Sequence, residues 1–128
     1  MPQDDTICLF CHIGKELILS ENEFAYAIRD GFAVSEFHTL IIPKRHVSSY
    51  FELTDEELLA CNRLLKESQR HIEEIDTSVD GFNIGVNVGS TAGQTIRHCH
   101  IHLIPRRMND VPNPKGGVRH IIPGKGIY

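Results

Sequence analysis

The sequence lacks the features of membrane, secreted and nucleic-acid-coating proteins. No apolar run approaches the roughly 20 residues that a membrane-spanning helix needs, and the opening MPQDDTICLF carries acidic residues where a signal peptide needs Lys or Arg. The net charge of -4 gives no general attraction to phosphate backbones or anionic membranes. We therefore expect a cytoplasmic protein that spans no membrane and has no extended nucleic-acid surface, so any nucleotide recognition must come from a local site.

The sequence also lacks internal repeats, low-complexity tracts and a Pro/Gly/Ser-rich linker between two apolar halves. Its 128 residues, 41% hydrophobic and 23% charged, have the composition of one ordinary globular domain. We expect residues 1–128 to share one core.

Four β-type runs surround one long helical pattern. The capping box Thr54-Asp55-Glu56-Glu57 begins a predicted helix over about residues 54–76, whose apolar face is formed by Leu58, Cys61, Leu65, Ile72 and Ile75. Strands are predicted at 24–29, 38–42, 82–88 and 96–104, with a short helix near 44–50 and an irregular tail after Pro105. Short connections between the later strands favour antiparallel pairing, which predicts an α+β fold.

Two of the four cysteines form a close pair, Cys8 and Cys11. This spacing suits half of a tetrahedral zinc site, which needs two more nitrogen or sulfur ligands. A redox pair and two buried thiols are the alternatives. A redox-active pair would lie in a thioredoxin-like βαβ unit. The predicted order of helix and strands does not contain one, so the pattern favours a metal site.

The segment His98-Cys99-His100-Ile101-His102 places three imidazoles at alternate positions. A strand directs alternate residues to one face, so the three rings are predicted to lie in a row. Imidazole serves as nucleophile, proton carrier or metal ligand near neutral pH, and the row alone does not divide these roles. The loop at 87–95 before it supplies an amide, glycines and hydroxyls that suit either a phosphate cradle or a hairpin turn.

Together these residues resemble the histidine triad family. The run NVGSTAGQTIRHCHIHLIP at 87–105 is similar to the family signature, in which alternating histidines follow a Gly-Gln-Ser/Thr loop. The resemblance extends to Asp30 and to HTLIIPKRH at 38–46, and the CLFC pair resembles that of a zinc-binding bacterial branch that includes diadenosine polyphosphate hydrolases. The sequence departs from the family in SEFHTL, where Glu36 and Phe37 replace a common Pro-Gly pair, and at Ala33, which replaces a frequent proline.

The resemblance implies an antiparallel sheet with one long and one short helix, usually assembled as a homodimer. It implies that His100 is the nucleophile, attacking the α-phosphate of a nucleotide to form a nucleotidyl-histidine. His102 would stabilise charge on the phosphate, and His38 would support this network. Asp30 would bind the ribose hydroxyls. The phosphates or the leaving group would be contacted by Asn87, Gln94 and Thr95.

The resemblance also implies a closed Cys₂His₂ zinc site formed by Cys8, Cys11, His46 and His98. A site with four protein ligands has no open position, so this zinc would be structural. It would anchor the N-terminal segment, residues 1–14, to the catalytic strand. The tail at 106–128 carries Arg106, Arg107, Lys115 and Arg119, which either reach a second phosphate group or a dimer partner, or form a solvated basic tail.

The function that the resemblance implies is hydrolysis of a purine nucleotide at its α-phosphate, with dinucleoside polyphosphates favoured and nucleoside phosphoramidates next. One alternative is a phosphorylase or nucleotidyltransferase, in which phosphate or a sugar phosphate replaces water as acceptor. A second is a zinc-stabilised nucleotide-binding module without turnover. A third places a catalytic zinc ion on the histidine row itself.

Overall fold

The fold is built on an antiparallel sheet covered on one face by a helix. A computed structural model describes residues 7–128; the first six residues, which include the acidic start of the chain, lie outside the described part. The elements are β1 (Ser20–Glu21), β2 (Ala25–Arg29), β3 (Thr39–Pro43), α1 (Asp55–Ile75), β4 (Val79–Val86) and β5 (Ile101–Arg107). The five strands lie in the order β1-β2-β3-β5-β4, each antiparallel to its neighbour. This architecture confirms the predicted α+β class.

The helix begins where the capping box predicts. The Thr54 side chain accepts a hydrogen bond from the Glu57 N–H, and the Glu57 carboxylate accepts one from the Thr54 N–H. The buried face differs from the predicted one, because it follows a nearly straight row of positions along the helix: Glu57, Ala60, Cys61, Leu64, Ser68 and Ile72. Leu58 and Leu65 lie at its margin, and Ile75 in the last turn is 48% exposed.

The two central strands β2 and β3 are buried on both faces. Ala25, Ala27 and Ile41 pack beneath α1. On the opposite face, residues of β2 and β3 pack against the N-terminal Cys8 and Phe10. The N-terminal segment therefore covers the sheet face that α1 leaves open, and this is the face on which the site described below lies.

Several predicted boundaries were wrong, and the strand predicted at 82–88 spans Val79–Val86. β5 begins at Ile101 rather than 96, because the Cys99 N–H donates to the Val47 carbonyl, 2.7 Å away, and the chain before Ile101 is held by segment 44–49 instead of the ladder. Because the Val47 carbonyl accepts from Cys99, it is not used in a helix, and the α-helix predicted near 44–50 does not form. A 3₁₀ turn follows at Tyr50–Glu52.

The tail also differs from the prediction. β5 continues through Pro105 to Arg107, so the irregular segment begins two residues later than expected, and a 3₁₀ helix interrupts it at Gly117–Ile121. Arg106 contributes to the ordering of the turn after β5, because its guanidinium pairs with both carboxylate oxygens of Asp110. None of the helices in the described part of the chain is both long and apolar enough to cross a membrane.

The buried carboxylate of Glu57 joins the start of α1 to the chain after β3. The Arg45 guanidinium donates to both carboxylate oxygens at 2.9 Å. The hydrogen bonds from Arg45 lower the pKa of Glu57 from 4.5 to about 2, opposed by burial and assisted by the Thr54 cap. The ion pair is therefore formed at neutral pH.

We expect Glu57→Gln to lower the free energy of unfolding at pH 7 by about 1–2 kcal/mol, since it removes a bidentate pair whose arginine is half exposed. A carboxyl whose pKa is lowered by folding stabilises the protein above its unfolded pKa and loses that contribution as pH falls through the folded pKa. The difference between variant and wild type should therefore shrink from pH 4.5 towards pH 2, as measured by urea denaturation across that range. A difference that stays constant over it would contradict this assignment.

Candidate active site and metal centre

His98 lies at the centre of a four-residue cluster of cysteine and histidine side chains. Its Nδ1 lies 3.4 Å from the Cys8 Sγ and 3.5 Å from the Cys11 Sγ, and the His46 Nδ1 lies 3.2 Å from the Cys11 Sγ. All four ligand atoms lie within 4.8 Å of one another. The structure thus brings together the four residues expected from the sequence to form a zinc site.

The geometry of this cluster fits a tetrahedral zinc ion. Bond lengths of about 2.3 Å to sulfur and 2.0–2.1 Å to nitrogen place neighbouring ligand atoms about 3.5 Å apart. The His98 Nε2–H donates to the Pro43 carbonyl at 2.7 Å, which leaves Nδ1 unprotonated and able to bind a metal. Burial lowers the pKa of His98, which favours the same neutral form. These residues can therefore hold a zinc ion.

The other two cysteines belong to the core. Cys61 and Cys99 are each 1% exposed, and burial raises the pKa of their thiols to about 11 and about 12. None of the four cysteines, all of which lie within the described residues, forms a disulfide. Cys8 is also 1% exposed, so burial does not distinguish the two pairs; what distinguishes Cys8 and Cys11 is their contact with the imidazoles of His98 and His46.

The His100 imidazole has one nitrogen occupied by the main chain. Its Nδ1 lies 2.8 Å from the His98 carbonyl oxygen, an acceptor, so Nδ1 carries the proton and donates it. In the neutral ring, Nε2 therefore holds the lone pair. The Phe10 ring packs against this imidazole with ring centres 5.1 Å apart. The arrangement supplies what a nitrogen nucleophile needs, a fixed ring with an unprotonated Nε2.

A second set of side chains beside His100 connects three elements. The His38 Nε2 lies 3.0 Å from the His102 Nδ1 and 3.4 Å from the Asp30 carboxylate, and the rings of His100 and His102 are 5.2 Å apart. His38 is 3% exposed at the start of β3, and His102 lies opposite Leu40 in β5. The structure therefore brings Asp30, His38, His100 and His102 together, as the sequence prediction requires.

The protons in this set follow from a backbone contact. The Val34 N–H donates to the His38 Nδ1 at 3.1 Å, so neutral His38 carries its proton on Nε2 and donates it to the His102 Nδ1. His102 then carries its own proton on Nε2, which makes it a hydrogen-bond donor. Burial lowers the pKa of both His38 and His102, against a smaller opposing effect of the Asp30 carboxylate, so both rings favour the neutral form.

The loop between β4 and β5 carries three of the predicted substrate-binding residues, Asn87, Gln94 and Thr95. Val86 pairs with Ile101, and Asn87 is the first residue of the loop after this last pair. The buried Gln94 amide accepts from the Gly89 N–H and donates to the carbonyls of Ser48 and Ile96. Both of its N–H bonds are thus used within the protein, and the structure assigns Gln94 a role in holding the loop.

The loop also carries Thr95 and two glycines with positive φ angles. Thr95 is exposed at the end of the loop, and Gly89 and Gly93 adopt positive φ angles of 88° and 94° that favour glycine. Contacts of Asn87, Gln94 and Thr95 with phosphate stay predictions. The expected row of rings also needs revision: only His102 lies within β5, and the preceding two histidines lie on the stretch that leaves the ladder.

Sequence reasoning missed two contributors to this site. Phe10 contacts both His98 and His100, with ring centres 6.0 and 5.1 Å apart. The Val34 N–H sets the tautomer of His38. A phenylalanine between two cysteines does not indicate that it will pack on a distant histidine. Every residue except proline has a backbone N–H, so the residue type of Val34 does not indicate its contact with His38.

Comparison with known proteins identifies the family. The HIT domain model matches residues 14–109, so the chain belongs to the HIT family. It is 35% identical over 107 residues to an adenosine 5'-monophosphoramidase of Saccharomyces cerevisiae, covering 80% of this chain and 65% of that protein. It is 38% identical over 108 residues to an adenylylsulfatase of Arabidopsis thaliana, covering 80% and 54%. The predicted family membership is confirmed.

Solved structures of relatives share the fold. A zinc-bound histidine triad family protein from Mycobacterium smegmatis has a TM-score of 0.73 and 29% identity, with coverage of 84% of this chain and 80% of that one. A diadenosine triphosphate hydrolase from Plasmodium falciparum has a TM-score of 0.68 and 29% identity, with coverage of 79% and 68%. These similarities confirm the predicted fold, whereas membership of a particular zinc-binding branch stays a prediction.

Proposed function

We propose that this protein is a nucleotide hydrolase that acts at the α-phosphate through a nucleotidyl-His100 intermediate. The observation that carries the proposal is the hydrogen bond from the His100 Nδ1–H to the His98 carbonyl, which leaves the Nε2 lone pair available for attack. The proposal is supported by three relatives whose names are those of nucleotide-cleaving enzymes: an adenosine 5'-monophosphoramidase, an adenylylsulfatase and a diadenosine triphosphate hydrolase.

In the first step, the Nε2 lone pair of His100 forms a bond to the α-phosphorus, and the bond from phosphorus to the leaving group breaks. The leaving group departs with the bonding electron pair and takes up a proton. In the second step, water attacks the same phosphorus and releases the nucleoside monophosphate, while the electron pair of the P–N bond returns to Nε2. The two steps balance as hydrolysis, without another co-reactant.

The histidine pair His38 and His102 would stabilise the transition state. The His102 Nε2–H donor lies on the same side of the sheet as His100, where negative charge develops on the non-bridging phosphate oxygens. The hydrogen bond from His38 holds the His102 ring in the tautomer that has this donor. Because both rings are neutral and oriented before substrate binds, little reorganisation is required during the reaction.

The nucleoside and phosphates would be bound by residues around this centre. Asp30 has one carboxylate oxygen occupied by the Phe32 N–H at 2.8 Å, and we propose that the remaining acceptor positions bind ribose hydroxyls. Asn87 and Thr95, which are exposed at the two ends of the loop, would contact the phosphates. Gln94 would act on them indirectly through the loop that it holds.

The substrate class that we propose is an adenine or other purine nucleotide with a leaving group on its α-phosphate. Dinucleoside polyphosphates come first and nucleoside phosphoramidates second. The same intermediate would serve a phosphorylase or nucleotidyltransferase if phosphate or a sugar phosphate intercepted it, and product analysis with and without phosphate distinguishes these from hydrolysis. We place the activity in the cytoplasm.

We propose a homodimer, because β4 is an edge strand that pairs with β5 alone within residues 7–128, and an edge strand can pair with a second copy. Ile84 in this strand is 54% exposed, which adds apolar surface to that edge. Static light scattering, which distinguishes one chain from two, checks this assembly. A mass of one chain would contradict it.

The Cys₂His₂ cluster would hold a structural zinc ion through Cys8, Cys11, His46 and His98. Zinc would supply cross-linking between the N-terminal segment, the chain after β3 and the segment that carries His100. With four protein ligands it has no open position for substrate.

One specific observation favours a second candidate, a metallohydrolase. Ligand atoms of Asp30, His38 and His102 also lie within 4.8 Å of one another, and three such ligands would leave a metal with an open position. The hydrogen bond between His38 and His102 accounts for the same proximity without a metal. The two candidates differ in metal content, which provides a test.

We expect one zinc ion per chain. Cys11→Ser or His46→Ala should lower the zinc content and the melting temperature, since each removes a ligand of a buried site. His102→Ala and His100→Ala should retain one zinc ion per chain. Elemental analysis of each purified variant measures this, and a second equivalent of metal that disappears in His102→Ala would favour the metallohydrolase.

The covalent step is tested by intact-protein mass spectrometry after rapid mixing with adenosine 5'-phosphoramidate or diadenosine tetraphosphate. An alkaline denaturing quench is required, because P–N bonds of histidine are acid-labile. Wild type should gain the mass of one adenylyl group, and His100→Ala should gain none and lose turnover by at least about 10³-fold, as expected for loss of a nucleophile.

His71→Ala provides the matched control, because His71 is exposed on α1. It should form the adduct at the wild-type rate. An adduct that persists in His100→Ala would contradict the assignment of the nucleophile. Tight AMP binding by wild type with neither adduct nor turnover would contradict hydrolysis and favour a binding module.

A further inference from the structure

The backbone immediately before His38 adopts an unusual conformation. Phe37 has a φ angle of 71°, in the left-handed region that residues with a side chain rarely adopt. Such a conformation is strained for a non-glycine residue and persists where its surroundings hold it. The contacts around Phe37 therefore indicate what maintains the direction of the chain as it enters His38.

Arg29 contacts both chain neighbours of His38. Its guanidinium carbon lies 5.2 Å from the centre of the Phe37 ring, within the range of a cation–π contact. Its Nη1 donates to the Thr39 hydroxyl at 2.7 Å, and that hydroxyl donates to the Phe37 carbonyl at 2.7 Å. Arg29 thus connects the two residues on either side of His38.

The rest of the segment Ser35–Thr39 is held from other elements. The Ser35 hydroxyl donates to the Pro105 carbonyl at 2.8 Å, and the Arg107 guanidinium donates to the Glu36 carbonyl at 3.1 Å. The Phe37 ring packs on the cluster formed by Ile72, Val79 and Leu103. The strained residue is therefore fixed on its ring and on its backbone.

His38 transmits this constraint to the site. Its carbonyl accepts from the Asp30 N–H at 2.9 Å, and its Nε2 lies 3.0 Å from the His102 Nδ1. A shift of the Ser35–Thr39 segment would alter both contacts. Arg29 lies in β2 opposite Thr39, on the face that bears α1, so it reaches the site only through other residues.

We propose that Arg29 is a positioning residue, which acts through Phe37 and Thr39 to hold His38 at hydrogen-bond distance from His102. This inference rests on the proposed function, because it assigns Arg29 an effect on the nucleotidyl-transfer step. It differs from a purely structural role in one respect: loss of Arg29 slows the chemical step in molecules that remain folded and bind nucleotide normally.

The test compares Arg29→Met, which keeps the aliphatic stem, with Arg29→Lys, which keeps a cation. At saturating substrate, Arg29→Met should form adenylyl-His100 about tenfold more slowly, while the Kd for AMP changes by less than about twofold, because misplacement of a supporting group costs rate more than binding. Arg29→Lys should recover part of the rate. Arg63→Met, on the exposed face of α1, should match wild type.

A second variant guards against poor folding of Arg29→Met. Phe37→Leu keeps apolar packing and removes the aromatic face under the guanidinium. It should slow adduct formation about threefold, because it removes one of the two contacts of Arg29 and leaves the hydrogen bond to Thr39. The double variant should be no slower than Arg29→Met alone, because both changes affect one unit. Multiplied effects, or a wild-type rate in Arg29→Met, would overturn the proposal.

Crystal structures of wild type and Arg29→Met test the proposal without any measurement of activity. The His38 Nε2 to His102 Nδ1 distance should lengthen beyond hydrogen-bond range in Arg29→Met, and an unchanged distance would overturn the proposal. If wild type forms no adduct, the proposed function fails, whereas this distance still decides whether Arg29 positions His38.

Discussion

His98 is the residue on which the rest of the site depends, because it belongs to the Cys₂His₂ cluster and also contacts the proposed nucleophile, His100. Its imidazole faces Cys8 and Cys11 through Nδ1 and the Pro43 carbonyl through Nε2. Its own carbonyl accepts the proton of the His100 Nδ1. Full burial of the ring leaves it no alternative partners in solvent, so the orientation of one residue determines where the lone pair of the next histidine points.

The two faces of the sheet differ in composition: one holds the apolar core beneath α1, and the other bears the histidines of the proposed active site. The face beneath α1 is filled by small and branched apolar side chains such as Ala27 and Ile41. The other face is covered at one end by Phe10 and carries His38 and His102 at the other. Burial favours the neutral form of His38 and His102, the Val34 N–H orients His38, and His38 orients His102. Such preorganisation favours charge stabilisation in a transition state.

The sequence allowed much of this arrangement to be predicted, and the exceptions have physical causes. The capping box at Thr54 and Glu57 located α1 to within one residue, since the signal and the structure are both local. The prediction of a strand before Ile101 was wrong. Tertiary contacts of Cys99 with Val47 and of His98 with the cysteines outweigh the alternating pattern of this segment. Gln94 and Phe37 could not be interpreted from residue type, because their roles depend on carbonyls and a φ angle supplied by distant parts of the chain.

The measurement that tests the central claim most directly is the tautomer of His100 in the free protein. Long-range ¹H–¹⁵N correlation spectra of protein labelled with ¹⁵N-histidine, assigned by comparison with His100→Ala, distinguish protonated from unprotonated ring nitrogens at neutral pH. The account predicts a protonated Nδ1 and an unprotonated Nε2. An unprotonated Nδ1 with a protonated Nε2 on His100 would contradict it, because the lone pair would then point at the His98 carbonyl instead of the α-phosphate.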